Sequence, residues 1–241
     1  MSRRNPVESI VKPRPMHEFS RKLLVYIPMD SPRRLIGEKL EALAIKKKKT
    51  PYSNLFLLEN KTVIFDCVSA PLAALSLEPL IAAGAEKILL LGFCGSLTPE
   101  HKIGDAVSII RAYSEEGTSR HYRPRRRYFE PSKSLRNQIE NTLRQSGLAF
   151  NQASVVSTDA PYRESLSWLV EKRQKHLDCV DMEASAVFSV SDFYGLDSAA
   201  LMIVSDEISP EGWSPGFHKP EIDDSIKNYF FPLIESLEEI V

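Results

Sequence analysis

Two short acidic segments carry the residue types that could do chemistry. In the first, Val180-Asp181-Met182-Glu183-Ala184, two carboxylates stand where an apolar run gives way to an alanine-rich stretch. A carboxylate there can accept hydrogen bonds from two hydroxyl groups, and its charge can stabilise a developing cation. Acidic residues also favour helix N-termini for structural reasons alone, so the pattern leaves both interpretations open.

The second acidic segment is Ser205-Asp206, directly after the very apolar run at residues 199–204. An acid at the end of a buried strand can act as a general acid toward a ligand bound there. An acidic helix cap or a surface turn is the more common outcome for such a residue. Both interpretations stay open on the spacing alone.

A glycine pair forms the third segment, Gly92-Phe93-Cys94-Gly95-Ser96-Leu97, which follows the apolar run at residues 87–91. A Gly-x-x-Gly turn after a buried strand can bring backbone N–H groups close to an anion. A tight turn that binds no ligand explains the same pattern, and a lone glycine motif more often has this purely structural role.

Alternating strands and helices must position these segments. Apolar runs predict strands at residues 23–27, 62–68, 87–91, 105–111, 153–157 and 199–204, and helical spacing predicts helices at residues 71–83, 135–143, 163–175 and 182–194. Ser31-Pro32 predicts the start of a further helix that ends in the lysine run at residues 46–49. The alternation predicts an α/β protein, with three α/β/α layers around a central mixed sheet.

The N-terminal segment differs in composition from the rest of the chain. Prolines and charges dominate residues 1–20, which predicts an N-terminal arm or tail. Residues 21–241 contain no linker or low-complexity segment, so we expect them to form a single catalytic domain.

The composition excludes several classes of function. The chain has 241 residues, 43% of them hydrophobic, with a formal net charge of -1, which gives no reason to expect a nucleic-acid or membrane partner. Its three cysteines lie far apart and its five histidines show no metal-ligand spacing, so we expect a reducing compartment and no metal. The N-terminus lacks an apolar stretch long enough for a signal peptide, which predicts a cytoplasmic protein.

Taken together, the segments resemble the nucleoside phosphorylase and nucleosidase family, which includes purine nucleoside and uridine phosphorylases. The resemblance runs from about Leu23 to Ser209. It rests on five segments in the family's order: residues 92–97 with the downstream Ile103-Gly104-Asp105, residues 116–122, residues 157–162, residues 180–184, and Ser205-Asp206.

The resemblance implies a role for each matching residue. Glu183 would bind the ribose 2′- and 3′-hydroxyls, and Met182 would pack on the sugar. Tyr162 would stack on the base, while Asp206 would hydrogen-bond and protonate the purine leaving group. Glycosidic cleavage passes through an oxocarbenium-like transition state, so one carboxylate at the sugar and one proton donor at the base suit the reaction.

The sequence departs from the family where phosphate would bind. Leu90 stands where the family usually has an arginine, and Phe93 stands where it has serine or threonine. A phosphate needs several donors and positive charge, which neither side chain supplies. Arg33 and the backbone of Gly92 and Gly95 remain as candidates for phosphate binding.

Three functions are compatible with this pattern. The first is phosphorolysis of a nucleoside, most simply a purine nucleoside, in catabolism or salvage, with phosphate as co-substrate and no other cofactor. The second is hydrolysis on the same scaffold, with water in place of phosphate. The third is nucleoside binding without catalysis. Relatives in the family are usually homo-oligomers, and we expect the same here.

Overall fold

One mixed sheet organises the chain. The computed structural model describes residues 9–236. Within them, eleven strands join the sheet: β1 Leu23–Ile27, β2 Lys46–Lys49, β3 Asn54–Leu57, β4 Lys61–Phe65, β5 Lys87–Ser96, β6 Ala106–Ser114, β7 Tyr128–Phe129, β8 Asn151–Ser157, β9 Cys179–Asp181, β10 Asp197–Ser209 and β11 Gly212–Pro215.

Helices connect most of these strands. They are α1 Leu35–Leu43, α2 Ala70–Ile81, α3 Ser119–Tyr122, α4 Lys133–Gln145, α5 Leu166–Gln174, α6 Ala184–Tyr194, α7 Pro220–Ser225 and α8 Phe231–Ser236, with a π-helical turn at Ile226–Phe230 between the last two. Short 3-10 turns lie at His17–Phe19 and Pro161–Arg163. None of the described helices combines the length and apolar character that a bilayer crossing requires.

The predicted three-layer α/β arrangement around a mixed sheet is confirmed by how the strands are buried. Along β5, Ile88 and Leu90 face one apolar cluster, whereas Leu89 and Leu91 face another. Helices α2 and α6 supply residues to the first cluster, and α1, α4, α7 and α8 supply residues to the second. Each fully buried leucine or isoleucine contributes about 1.5–3 kcal/mol, so the layers hold together through many such side chains.

The sheet branches at β5 and closes on itself. The first half of β5 pairs with β1, and its end pairs with β9 through Gly95 and Ser96. Strand β10 pairs in parallel with β5 along the whole length of β5, and its other edge pairs with β6. Strand β6 pairs with β8, and β8 pairs with β9, which closes the sheet. The β5–β10 register shifts between Val204 and Asp206. A bulge of this kind re-aims a side chain, and here it sets the direction of Asp206.

Two local predictions were wrong. The lysine run does not end a helix: it forms the exposed edge strand β2, because its backbone pairs with β3 in a hairpin. Lysines on an edge strand discourage pairing with other chains. Residues 92–96 do not form a turn either, since they continue β5 as a paired strand.

Helix α1 also begins later than the predicted Ser31-Pro32 start. Arg34 has a left-handed φ of 57°, and the Asp30 carboxylate accepts hydrogen bonds from the backbone N–H groups of Ile36 and Gly37. Asp30 therefore satisfies the N-terminal donors of the helix from outside it.

The predicted arm lies partly outside the described residues, which start at residue 9. Ile10 and Val11 are exposed, whereas Phe19 is fully buried, and the Met16 N–H donates to the Pro79 carbonyl. The division into an arm at 1–20 and one domain at 21–241 stays a prediction.

Candidate active site

A cavity of about 590 Å³ lies where several strands end. Its size suits a small organic ligand. Gly95 comes from the end of β5, Met182 and Glu183 follow β9, Asp206 lies in β10, and Tyr162 follows β8. Five residues singled out from the sequence therefore meet at one cavity, although the chain separates them by up to 111 positions.

Glu183 stands at the start of helix α6 with only 5% of its surface exposed. The neighbouring Asp181 carboxylate accepts hydrogen bonds from the Glu183 and Ala184 N–H groups, so Asp181 caps the helix. This leaves the Glu183 side chain to turn toward the cavity, where one oxygen accepts a 2.6 Å hydrogen bond from the Ser69 N–H.

Ser69 makes that contact from an unusual backbone conformation. Its φ of 108° lies in the region that favours glycine, and a non-glycine residue there is strained. This conformation directs the N–H toward the Glu183 carboxylate, and the hydrogen bond helps to stabilise it. The loop after β4 thus fixes the position of a carboxylate 114 residues further along the chain.

Two buried carboxyl groups at this end of the cavity hold protons unusually well. Burial raises the pKa of Glu183 above its ordinary value, and the nearby Asp181 charge raises it further. Burial likewise raises the pKa of Asp181, with the Glu116 charge acting in the same direction. A cationic or hydroxyl-bearing ligand would relieve this crowding of negative charge, because it supplies the charge or the donors that the carboxylates lack.

Asp206 is held from both sides in the bulge of β10, with 9% of its surface exposed. The Ser205 hydroxyl donates to Oδ1 at 2.7 Å, and the Trp213 indole N–H donates to Oδ2 at 2.8 Å. Opposite it stands Gly95, where a Cβ atom would lie 2.8 Å from Asp206 Oδ2. The glycine therefore leaves the space that the carboxylate occupies.

Sequence reasoning missed three residues that shape the site. Trp213 lies on β11 and is recognisable only as one of two tryptophans in the chain. The available signal for Ser69 was a missing glycine, since Val68-Ser69-Ala70-Pro71 stands where the family usually has a glycine-rich strand end. Glu164 also lines the cavity, and burial raises its pKa to about 7, with the Asp206 charge contributing. Glu164 lies two residues after Tyr162 in the sequence, and that closeness was the signal that could have marked it as a site residue.

Tyr162 and Met182 both line the cavity but differ in exposure. Met182 is partly buried beside Glu183, whereas Tyr162 is fully exposed at the opening. An exposed ring can stack on a flat ligand without first leaving a packed position.

The structure does not bring the other phosphate candidates to the cavity. Arg33 forms an ion pair with Asp223, and Gly92 lies in the interior of β5 without contributing to the cavity wall. Leu90 is fully buried in the core. The Phe93 ring packs edge-on against the Phe230 ring, with the two ring centroids 5.8 Å apart. Of the three candidates, only Gly95 lines the cavity.

The described cavity wall is acidic and apolar. It contains Glu164, Asp181, Glu183 and Asp206 but no lysine, arginine or histidine. Within residues 9–236, no cluster of three or more His, Cys, Asp or Glu side chains is arranged to hold a metal ion. The arrangement suits hydroxyl donors at Glu183 and a heterocycle at Asp206.

Comparisons with known proteins show the family to which the chain belongs. The model of the phosphorylase superfamily matches residues 55–228, more than half of the chain. Guanosine phosphorylase from Halorubrum lacusprofundi is 28% identical over 147 residues, which cover 61% of this chain and 61% of that protein. The chain thus spans about six tenths of the length of the curated relatives it first matches.

Two solved structures share the fold. Purine nucleoside phosphorylase from Toxoplasma gondii, in complex with immucillin-H, superposes with a TM-score of 0.76 at 21% identity, covering 95% of this chain and 96% of that one. AMP nucleosidase from Bacteroides thetaiotaomicron has a TM-score of 0.72 at 19% identity, covering 89% of this chain and 88% of that one.

Proposed function

The chain belongs to the phosphorylase superfamily, and on that premise we propose that it cleaves the N-glycosidic bond of a purine nucleoside. The observation that carries the proposal is the pair of buried carboxylates, Glu183 and Asp206, that face one cavity from the ends of different strands. The relative named guanosine phosphorylase supports a purine substrate.

The two carboxylates divide the reaction between them. As the C1′–N bond breaks, its electron pair moves to the base, and positive charge develops on the ribose ring. Glu183 accepts hydrogen bonds from the ribose 2′- and 3′-hydroxyls, with Met182 against the sugar. Hydrogen bonds donated to the carboxylate favour its ionised form and so oppose the rise in pKa that burial causes, and the ionised carboxylate stabilises the positive charge on the ribose. Asp206 donates a proton to the departing purine, and Ser205 and Trp213 hold it at the required angle. Tyr162 covers the base from the opening.

Water is the acceptor that the cavity wall favours. Acidic and apolar side chains surround the site, and Arg33 is occupied by Asp223. Removing a multiply charged phosphate from water without matching donors is costly. We therefore propose hydrolysis, which gives ribose and a free base. Phosphorolysis is the second candidate, because the relative from Halorubrum is named a phosphorylase.

Product analysis on a panel of purine nucleosides tests the proposal. Hydrolysis releases free ribose in phosphate-free buffer, whereas phosphorolysis releases ribose 1-phosphate and requires added phosphate. Release of the base under neither condition would contradict the proposed function. Ribose 1-phosphate as the main product at millimolar phosphate would replace the first candidate with the second.

An acid-to-amide variant tests the role of Asp206. Asp206→Asn should lower kcat on a purine nucleoside by roughly 10²–10⁴-fold, the usual contribution of general acid catalysis. It should spare a 4-nitrophenyl riboside, whose leaving group departs without a proton. Asp197→Asn, at the opposite end of the same strand, is the matched control. Equal activity of Asp206→Asn and the control on purine nucleosides would contradict the assignment.

A further inference from the structure

A second cavity adjoins the first across the segment that follows β8. It has a volume of about 480 Å³ and shares two of its wall residues, Thr158 and Glu164, with the first cavity. The rest of its wall consists of Tyr113, Ser114, Glu115, Arg127, Ala160, Arg163 and Trp168. The segment at residues 158–164 therefore contributes wall residues to both cavities.

The two cavities differ in charge. Arg127 and Arg163 line the second one, and neither guanidinium group pairs with another described residue. Two acidic residues, Glu115 and Glu164, also line it. The buried Lys172 forms an ion pair with Glu115, and the Trp168 indole N–H donates to Glu115 at 2.8 Å. Burial raises the pKa of Glu164 to about 7, and the Asp206 charge contributes to that rise. The two arginines, from separate parts of the chain, therefore outnumber the single carboxyl group that no described lysine or arginine pairs with, Glu164.

Arginine pairs of this kind recognise planar or tetrahedral anions. A guanidinium group donates two parallel hydrogen bonds to a carboxylate or a phosphate, and two such groups in one concave site fix its orientation. The first cavity offers an anion nothing comparable, because its described wall is acidic. A ligand that is neutral at one end and anionic at the other matches both cavities together.

We propose that the second cavity is an anion subsite and that the substrate is an anionic nucleoside, such as a nucleoside monophosphate. The nucleoside part occupies the first cavity, and its phosphate crosses beside Thr158 and Glu164 to reach Arg127 and Arg163. The inference rests on the proposed cleavage of a nucleoside, and it names the substrate class for that reaction.

The test compares a purine nucleoside with its 5′-monophosphate. For the unmodified protein, kcat/KM should be at least roughly tenfold higher for the monophosphate, since hydrogen bonds between charged groups are the strong ones. Arg127→Gln and Arg163→Gln should each raise KM for the monophosphate roughly tenfold and leave the nucleoside unaffected. Arg125→Gln, an exposed neighbour outside the cavity wall, is the matched control.

Binding of the monophosphate, measured by calorimetry, separates a failure of the anion subsite from a failure of the proposed reaction. If neither compound is cleaved, the proposed function fails, yet monophosphate binding that weakens in both arginine variants would still support the subsite. If the nucleoside is cleaved without preference for the monophosphate, the subsite inference is overturned and the reaction stands. Inorganic phosphate that binds through both arginines while the monophosphate shows no advantage would overturn the linked-substrate inference and indicate a free-anion site.

Discussion

Replacing Gly95 with alanine should disable the acid that stands opposite it. The new methyl group would lie 2.8 Å from Asp206 Oδ2 and 3.2 Å from Val180 Cγ1. Ordinary contact begins near 3.4 Å, so the carboxylate oxygen must retreat by roughly 0.6 Å. The retreat disturbs a group that the Trp213 N–H holds at 2.8 Å.

The size of the loss follows from that displacement. A catalytic group misplaced by about 1 Å can cost 10²-fold, so we expect kcat on a purine nucleoside to fall roughly 10- to 100-fold. Each factor of ten corresponds to about 1.4 kcal/mol of transition-state stabilisation. A 4-nitrophenyl riboside should be cleaved at nearly the original rate, because its leaving group does not need the Asp206 proton.

Gly92→Ala is the matched control on the same strand. A methyl group at Gly92 would meet nothing closer than 3.5 Å, an ordinary contact with Leu90. Both variants are assayed by initial rates on the two substrates after thermal unfolding shows that they are folded. Equal rates for Gly95→Ala and Gly92→Ala on the purine nucleoside would refute the reasoning, as would an equal loss of Gly95→Ala on both substrates.

Three further substitutions test the site and its surroundings. Burial raises the pKa of Glu183, so the folded protein keeps a proton that the unfolded chain releases near pH 4.5. The free energy of unfolding should therefore decline as the pH rises from 4.5 toward the raised pKa. Glu183→Gln should flatten that decline in urea titrations at successive pH values, and an unchanged slope would contradict the shift. Leu90→Arg would restore the family's arginine but would place an unpaired charge at a fully buried position. It should lower the free energy of unfolding, measured in urea, by at least about 3 kcal/mol. A variant as stable as the unmodified protein would contradict the burial of Leu90. Ser69→Gly should relieve about 1 kcal/mol of net backbone strain and raise Tm by about 2–4 °C with activity retained, whereas a lower Tm would show that the φ of 108° is not strained.

Local sequence patterns determined the elements that lie near the site. The apolar run at residues 23–27 is strand β1, and the helix after Glu183 ends at Gly195, whose φ of 74° suits glycine. Such features depend on neighbouring residues alone, because backbone dihedral preferences and the period of apolar side chains are local properties. The order of the acidic segments along the chain is also a property of the sequence alone, and the family resemblance rested partly on it.

Tertiary structure decided the rest, because it depends on partners far away in the chain. The lysine run forms a strand only because β3 lies beside it, and Arg33 is lost to phosphate because Asp223, 190 residues later, pairs with it. Gly95 was expected at a turn, yet it is a strand residue that leaves room for Asp206. Sheet closure and the β10 bulge set that contact, and no local pattern encodes the register between two strands over a hundred residues apart.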